Sequence, residues 1–195
     1  RGSGVTFRSE VSVDAIKRKY QNEIAAAIPE ALEQGIKGWE VTDLEIVLVD
    51  GSDHVLHSRP GDFKLATNIA LMKGLTATGT TLLEPILAFR VAASEEFVGK
   101  VTADVVSMRG SFEPATIADG QFVLRGRFPL AASLDYVVRL GSLTGGRGKL
   151  SVRFDGYEEC SDEIAVGRGY RGISPLDRSK YILQMRGAIT QSLSG

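Results

Sequence analysis

The stretch "DGSDHVLHSRPGDF", residues 50 to 63, holds both histidines of the chain, His54 and His57, three positions apart. Two imidazoles at that spacing suit three kinds of chemistry: metal ligation, proton transfer, or contact with a partner. Zinc asks for three or four ligands. Asp53 is the one adjacent carboxylate, and the single cysteine, Cys160, is far along the chain, so a metal site is disfavoured. Proton transfer needs a pocket and a partner that orients the imidazole, and the sequence supplies neither. What remains is a solvated turn or a contact loop. Val55 and Leu56 between the rings favour contact, since rings and apolar tips stack on bases or fill partner pockets.

The elements on either side must hold that loop. Residues 5 to 11, "VTFRSEV", alternate apolar and polar and read as a strand. Ile16, Tyr20, Ile24, Ile28 and Leu32 then recur every four residues along one helix face, with Ser12 or Asp14 as cap and Gly35 as stop. Pro29 falls inside that pattern and predicts a kink or break near Ile28. Residues 39 to 49, "WEVTDLEIVLV", read as a second strand ending at Asp50-Gly51. A second helix opens within Ser58 to Asp62, with Pro60 in its first turn. Phe63, Ala66 and Ala70 line one side of it, and Leu65, Ile69 and Met72 an adjacent one. The histidine loop is therefore expected to be held at both ends and free in its middle.

Downstream the pattern repeats itself. Residues 86 to 93 read as a strand, 94 to 108 as a helix capped by Ser94, and Arg109-Gly110 as its end. Residues 121 to 128 again read as a strand, a helix follows from Pro129, and Arg147-Gly148 precedes the strand "KLSVRF". A further strand is expected near 111 to 117. Strand–helix–strand twice over is the split βαβ pattern, so residues 86 to 158 are predicted to form a ferredoxin-like domain. A Gly- and Arg-rich segment follows Cys160. Ser174-Pro175 then caps a final helix carrying Leu176, Ile182, Met185 and Ile189, an apolar stripe that must dock on a domain.

With 195 residues, 43% hydrophobic and 24% charged, the chain has material for a real core. One cysteine excludes an internal disulfide and points to a reducing, cytoplasmic setting. No stretch is long enough to span a membrane and none reads as a signal peptide. The chain starts Arg1-Gly2-Ser3-Gly4 rather than with Met, as expected of a piece of a longer protein. A net charge of −1 argues against nucleic-acid binding by bulk attraction. Between 164 and 187, however, Arg168, Arg171, Arg178, Lys180 and Arg186 stand against Asp177 alone. That segment is either a solvated helix face with its lead-in or a phosphate-contacting surface.

Two glycine-rich motifs fail on context. "GRGYRG" at 167 to 172 matches the dinucleotide fingerprint in letters only. It runs into a Ser-Pro cap, and the chain ends without the acidic residue such a site needs. "TGGRGKL" lacks the phosphate-loop spacing, because Leu143 stands where the first glycine belongs and Leu150 where Ser or Thr belongs.

Several stretches resemble the C-terminal region of elongation factor G and its relatives. "VTDLEIVLVDGSDHVLHS" is similar to the strand and tip loop of that factor's fourth domain, and "LLEPILAFRV" to the junction into its fifth. "RFPLAASLDYVVRLGSLTGGRGKLSVRFDGYEE" resembles the second half of the fifth domain. Within the superfamily, "GIKGWEVTD", "RPGDF" and the final "SPLDRSKYILQMRGAI" look most like the ribosomal protection proteins for tetracycline resistance. Two features depart from that subgroup. The tip proline is absent where Val55, Leu56 and His57 align, and a histidine at position 54 is an elongation-factor trait.

The resemblance implies an α+β architecture in three parts. Residues 1 to 85 would form a βαβ domain of the ribosomal-protein-S5 second-domain class, missing its first strand and so leaving an exposed edge. Residues 86 to 158 would be ferredoxin-like, and 159 to 195 a linker and helix packing back on the first domain. It further implies a cytoplasmic, monomeric ribosome-binding chain that does not itself catalyse a reaction, with GTP and magnesium held by N-terminal domains outside this sequence. His54, Val55, Leu56, His57 and Ser58 would form the tip that enters the decoding region of the small subunit. Arg59 and Lys64 would sit on rRNA phosphates at its root. Arg109, Arg147 and Lys149 would face the factor-binding region of the large subunit. An elongation-factor-like translocase paralogue is the alternative. A small-molecule kinase on an S5-like fold is a weaker one, since it needs a phosphate-binding glycine loop that these residues lack.

Overall fold

Parallel pairing of two short strands starts the chain. In the computed structural model, which describes residues 2–54, 56–161 and 166–187, β1 (Val5–Ser9) runs beside β2 (Leu44–Leu48), with Phe7 opposite Ile46. Between them lies α1 (Arg18–Leu32), and after the histidine loop comes α2 (Asp62–Thr78). Ile28, Leu32 and Leu75 are buried against Phe7, Val41, Leu44, Ile46 and Leu71, so both helices cover one face of the strand pair. Residues 1–81 and 165–195 form one compact unit, and 82–164 a second.

Several expectations for the first unit are corrected. α1 runs through Pro29 without a break. The proline is exposed and sits in the last turn, while Ile28 and Leu32 beside it are 3% and 2% exposed. Burying two such side chains contributes about 1.5–3 kcal/mol each, which offsets the roughly 3 kcal/mol cost of a helical proline. Neither Ser12 nor Asp14 caps α1. Ser12 Oγ instead accepts from the Ala15 N–H at 3.2 Å, one turn too early. β2 begins at Leu44 rather than at Trp39, because Asp43 adopts a left-handed φ of 55° and breaks the extended run. Its carboxylate accepts the Gly2 and Gly4 N–H groups at 2.9 and 3.0 Å, which ties down the start of the chain. Those bonds, the Gly2 one largest, hold Asp43 below the usual carboxylate range. Pro60 lies before α2 rather than inside its first turn, since Gly61 at φ 91° sets the entry. The buried residues of α2 are Leu65, Thr67, Asn68, Met72 and Leu75, so the expected apolar sides only partly match the face that packs.

In the second unit β3 (Leu83–Ser94) is followed by a 3-10 turn (Glu95–Phe97) and α3 (Val98–Ser107). Then come β4 (Ser111–Phe112), β5 (Thr116–Ala118), β6 (Gln121–Pro129), α4 (Tyr136–Thr144) and β7 (Lys149–Glu159). The antiparallel sheet has the order β4-β6-β3-β7, with β5 also on β6. The strands that close the two βαβ halves thus interleave, which is the ferredoxin-like arrangement. Phe89, Val91, Phe122, Leu124 and Phe128 meet Val101, Val105, Tyr136 and Leu140 in one core on the helical side. Phe89 and Phe128 stack at 4.7 Å, and Phe128 meets the edge of Tyr136 at 6.1 Å.

Two helix starts differ from the pattern reading. Ser94 ends β3 and makes no side-chain cap, because the 3-10 turn intervenes before α3. Pro129 ends β6 opposite Ile86, and α4 opens only at Tyr136. Between them Ser133 Oγ donates to the Pro129 carbonyl at 3.1 Å and closes the turn. Arg109 leaves α3 at φ 61°, with the Gly110 N–H on the Val105 carbonyl at 2.8 Å. This supplies the left-handed exit that normally falls to glycine.

The last helix, α5 (Arg178–Met185), packs on α2 of the first unit. Its contact differs from the expected stripe. Tyr181 is the buried residue, whereas Leu176 and Met185 are exposed, and Ile189 lies outside the described residues.

Candidate functional site

The histidine loop is braced at its root from three sides. Asp53 reaches the start of α1, where its carboxylate accepts the Lys17 N–H at 2.8 Å and Lys17 Nζ at 2.9 Å. The Asp53 N–H in turn donates to the Ala15 carbonyl at 2.9 Å. An N-cap carboxylate normally comes from the residue just before the helix. Here it is supplied across 36 positions by the loop itself. The Lys17 backbone bond and then its ammonium hold Asp53 below the ordinary carboxylate range. Gly51 meanwhile presses on Ile16, and a Cβ there would stand 2.6 Å from Ile16 Cδ1.

On the far side, Tyr20 Oη donates to the Ser58 carbonyl at 3.1 Å, and its ring stacks on Phe63 at 4.4 Å. Glu23 then caps α2 from α1. Its Oε1 accepts the Gly61 and Lys64 N–H groups, both at 2.9 Å. Both ends of the loop are thus held at helix starts, the Lys17 N–H before α1 by Asp53 and the Gly61 and Lys64 N–H groups of α2 by Glu23.

The apex is a hydrogen-bonded turn. The Ser58 N–H donates to the His54 carbonyl at 2.9 Å, and the His54 N–H donates to Ser58 Oγ at 2.9 Å. His54 Nδ1 accepts the Leu56 N–H at 3.2 Å, so the neutral ring carries its proton on Nε2. The His54 and His57 rings lie 4.5 Å apart, tilted by 33°. Leu56 is 79% exposed beside them. Among the described residues no three His, Cys, Asp or Glu side chains come together as a metal site.

The predicted residues are brought together unevenly. His54, Leu56, His57 and Ser58 share the apex, and Val55 lies outside the described residues. Arg59 is exposed at the root, with no ion pair from its side chain among the described residues. Lys64 is turned to Glu30, Nζ to Oε2 at 2.7 Å, and so presents a paired charge. In the second unit Arg109 is fixed on Glu84 by two bonds of 2.7 and 2.9 Å, which raise its already high pKa. Lys149 is exposed, and Arg147 Nε bonds the Thr144 carbonyl at 3.4 Å.

The basic segment proves to be a strap. Arg168 lies 3.4 Å above the Trp39 ring, and Trp39 Nε1 donates to the Val166 carbonyl at 2.9 Å. The Arg171 N–H donates to Gln34 Oε1 at 2.9 Å, and Arg186 reaches Asp62 at the start of α2 at 3.4 Å. Most of these cations fasten the segment to the first unit instead of facing a phosphate. Sequence reading missed Glu23 and the capping role of Asp53, since nothing in a sequence shows which distant amides a carboxylate will meet.

The family models decide what kind of chain this is. Elongation factor G domain IV matches residues 1–79, and the elongation factor G C-terminus matches residues 81–166. The chain belongs to the elongation factor G family. It is 33% identical over 189 residues to the tetracycline resistance protein TetP of Clostridium perfringens, covering 97% of this chain and 29% of that protein. A crystal structure from Thermus thermophilus superposes with a TM-score of 0.70 and 28% identity, over 95% of this chain and 26% of that one. The chain therefore spans less than a third of the relatives it matches. Within the elongation factor G frame, the braced histidine loop is the free end of the domain IV unit's strand–helix connection.

Proposed function

We propose that this chain is the ribosome-contacting C-terminal part of a tetracycline resistance factor, and that it works through the histidine loop. The tip enters the decoding region of the small subunit and there displaces the drug from its rRNA pocket. GTP bound by other domains of such a factor would time the encounter, and the role of these residues is steric and electrostatic. Leu56, with Val55, presses on the base or backbone that lines the drug site. His57 stacks or donates to a phosphate oxygen, His54 orders the turn, and Arg59 sits on a phosphate at the root. The observation that carries this reading is the bare Leu56 apex on a root gripped by Asp53, Tyr20 and Glu23. A tip that must displace a ligand has to resist being pushed back. Likeness to TetP supports drug protection as the task.

The test is retention of labelled tetracycline on ribosomes with the full-length factor and GTP. Release of label by the unsubstituted factor, lost when residues 55–57 become Gly-Ser-Gly, is the expected result. Undiminished release by that variant would reject the tip assignment. Retention with the unsubstituted factor would favour the translocase reading, which His54 also suits, and poly-phenylalanine synthesis would then be measured.

A further inference from the structure

Asp62 is the first residue of α2 and follows Gly61, whose left-handed φ of 91° turns the chain out of the histidine loop. A carboxylate suits that place, because a helix N-terminus carries unsatisfied N–H groups and partial positive charge. Its two oxygens have different partners. Oδ2 reaches back to accept the Arg59 N–H at 3.0 Å, while the Asp62 N–H donates to the Arg59 carbonyl at 3.2 Å. Residues 59 and 62 thereby close a reciprocal turn, with the backward reach seen in a capping box. The peptide bond from Ser58 to Arg59 joins that turn to the apex, where Ser58 holds His54. Asp62 therefore sets the direction in which the second half of the loop meets the helix.

Oδ1 serves the last helix. It accepts from Arg186 Nη2 at 3.4 Å. Arg186 is the C-cap residue of α5, where the helix dipole favours a cation. A second, buried contact places α5, the Asn68 Nδ2 bond to Tyr181 Oη at 2.6 Å. The two contacts lie five residues apart on α5 and six on α2, in opposite senses. At about 1.5 Å of rise per residue these spans are about 7–9 Å. α5 therefore runs antiparallel to α2 and brings Arg186 to the loop root. The strap before it has fastenings of its own, Arg168 over Trp39 and the Arg171 N–H on Gln34 Oε1, so Arg186 is not what seats the helix. Charge at the root also calls for this cation. Asp62 and Glu23 bring two carboxylates to one helix start, and the adjacent Lys64 is turned to Glu30. Among the described residues, Arg186 is the cation that ion-pairs with Asp62.

We infer that Asp62 is a positioning residue for the tip: its carboxylate orients the loop root, and Arg186 of the last helix holds that carboxylate, so that a seated α5 keeps the second half of the histidine loop in place. The first half is held separately, by Asp53 at the start of α1. The consequence for drug release rests on the tip reading proposed above, whereas the positional link does not.

The experiment is amide hydrogen exchange of the 195-residue chain, followed by NMR at Ser58 and Arg59, with Tyr181 and Lys17 as internal references. Arg186→Gln should speed exchange at Ser58 and Arg59 about two- to fivefold, as expected for the loss of one largely exposed ion pair. Tyr181 and Lys17 should keep their rates. Arg186→Lys should restore slow exchange. Asp62→Asn keeps an oxygen for the Arg59 N–H but no charge for Arg186, so Arg186→Gln added to it should change nothing further. Unchanged Arg59 exchange in Arg186→Gln would overturn the inference, as would an equal rise in the Asp62→Asn background or a rise at Tyr181 as large as at Arg59. With the full-length factor and GTP, Arg186→Gln should slow release of labelled tetracycline by a similar factor. Release abolished by Gly-Ser-Gly at residues 55–57 but untouched by Arg186→Gln would reject the positioning role. If the exchange result holds while neither variant alters release, the tip reading fails and the positioning of the loop by Asp62 stands.

Discussion

Asp53 caps the helix that begins after Lys17, accepting the Lys17 backbone N–H at 2.8 Å and its Nζ at 2.9 Å. One carboxylate thereby fixes both the start of α1 and the first half of the histidine loop. Its folded pKa is depressed, first by the backbone bond. The stabilisation is therefore present above the unfolded value near 4 and is lost as pH falls through the lower folded value. An asparagine side chain would keep an acceptor but no charge. The thermal midpoint of the unsubstituted chain should fall more between pH 7 and pH 3 than that of Asp53→Asn. In Asp53→Ala the Lys17 amide should exchange hydrogen faster, as read by NMR. Equal pH dependence in the unsubstituted chain and Asp53→Asn would show that Asp53 contributes nothing by its charge.

Glu23 does for α2 what Asp53 does for α1, since its Oε1 accepts from Gly61 and Lys64. Glu23→Ala leaves two helix-terminal donors to water and should cost about 1 kcal/mol, within the usual range for a lost cap. Glu23→Gln retains an amide oxygen and should cost less. Urea denaturation of the two variants orders them. An alanine variant as stable as the glutamine one would mean that water replaces the cap without loss.

How much of this was legible beforehand differs by element. Short apolar runs, "ILAFRVAA" and "QFVLRGRF", each followed by a helical stretch, placed both βαβ halves of the second unit. The histidine loop was legible as a strand–helix connection from its flanks, since β2 and α2 stand on either side of it. Boundaries were not. Trp39 to Val41 look like strand residues, yet Asp43 turns left-handed to bind the Gly2 and Gly4 amides. Pro129 looks like a helix start, yet its pairing with Ile86 keeps it in β6. In each case a tertiary partner distant in sequence outweighed local propensity. The charged residues were the least legible. Lys64 and Arg109 read as free cations until Glu30 and Glu84 are seen beside them.

Asn68 and Tyr181 join the last helix to α2 through a buried hydrogen bond of 2.6 Å, Asn68 Nδ2 donating to Tyr181 Oη. Asn68 Oδ1 has no partner among the described residues, so the amide is already incompletely satisfied. Tyr181→Phe would strand the donor as well and should destabilise by about 1–3 kcal/mol, the desolvation penalty of an unpaired buried group. Asn68→Leu/Tyr181→Phe removes both ends and should recover most of that loss. A double variant no better than the single one would mean that packing, not the hydrogen bond, holds the helix.

Trp39 is the only tryptophan of the chain, and Arg168 lies 3.4 Å above its ring. Intrinsic fluorescence therefore reports directly on whether the strap after residue 165 is seated. Gly38 makes this contact possible. At φ 74° its backbone passes so close to the strap that a Cβ would stand 2.3 Å from the Arg168 carbonyl oxygen. Arg168→Gln should expose the ring, giving a red-shifted emission and stronger acrylamide quenching, at a cost of about 0.5–1 kcal/mol for an exposed cation–π contact. Gly38→Ala should go further, because the Arg168 carbonyl has to move, and backbone cannot swing aside as a side-chain tip can. Limited proteolysis between Gly167 and Gly172 should then speed up in Gly38→Ala more than in Arg168→Gln. Unchanged emission in both variants would mean that the strap does not rest on Trp39 in solution.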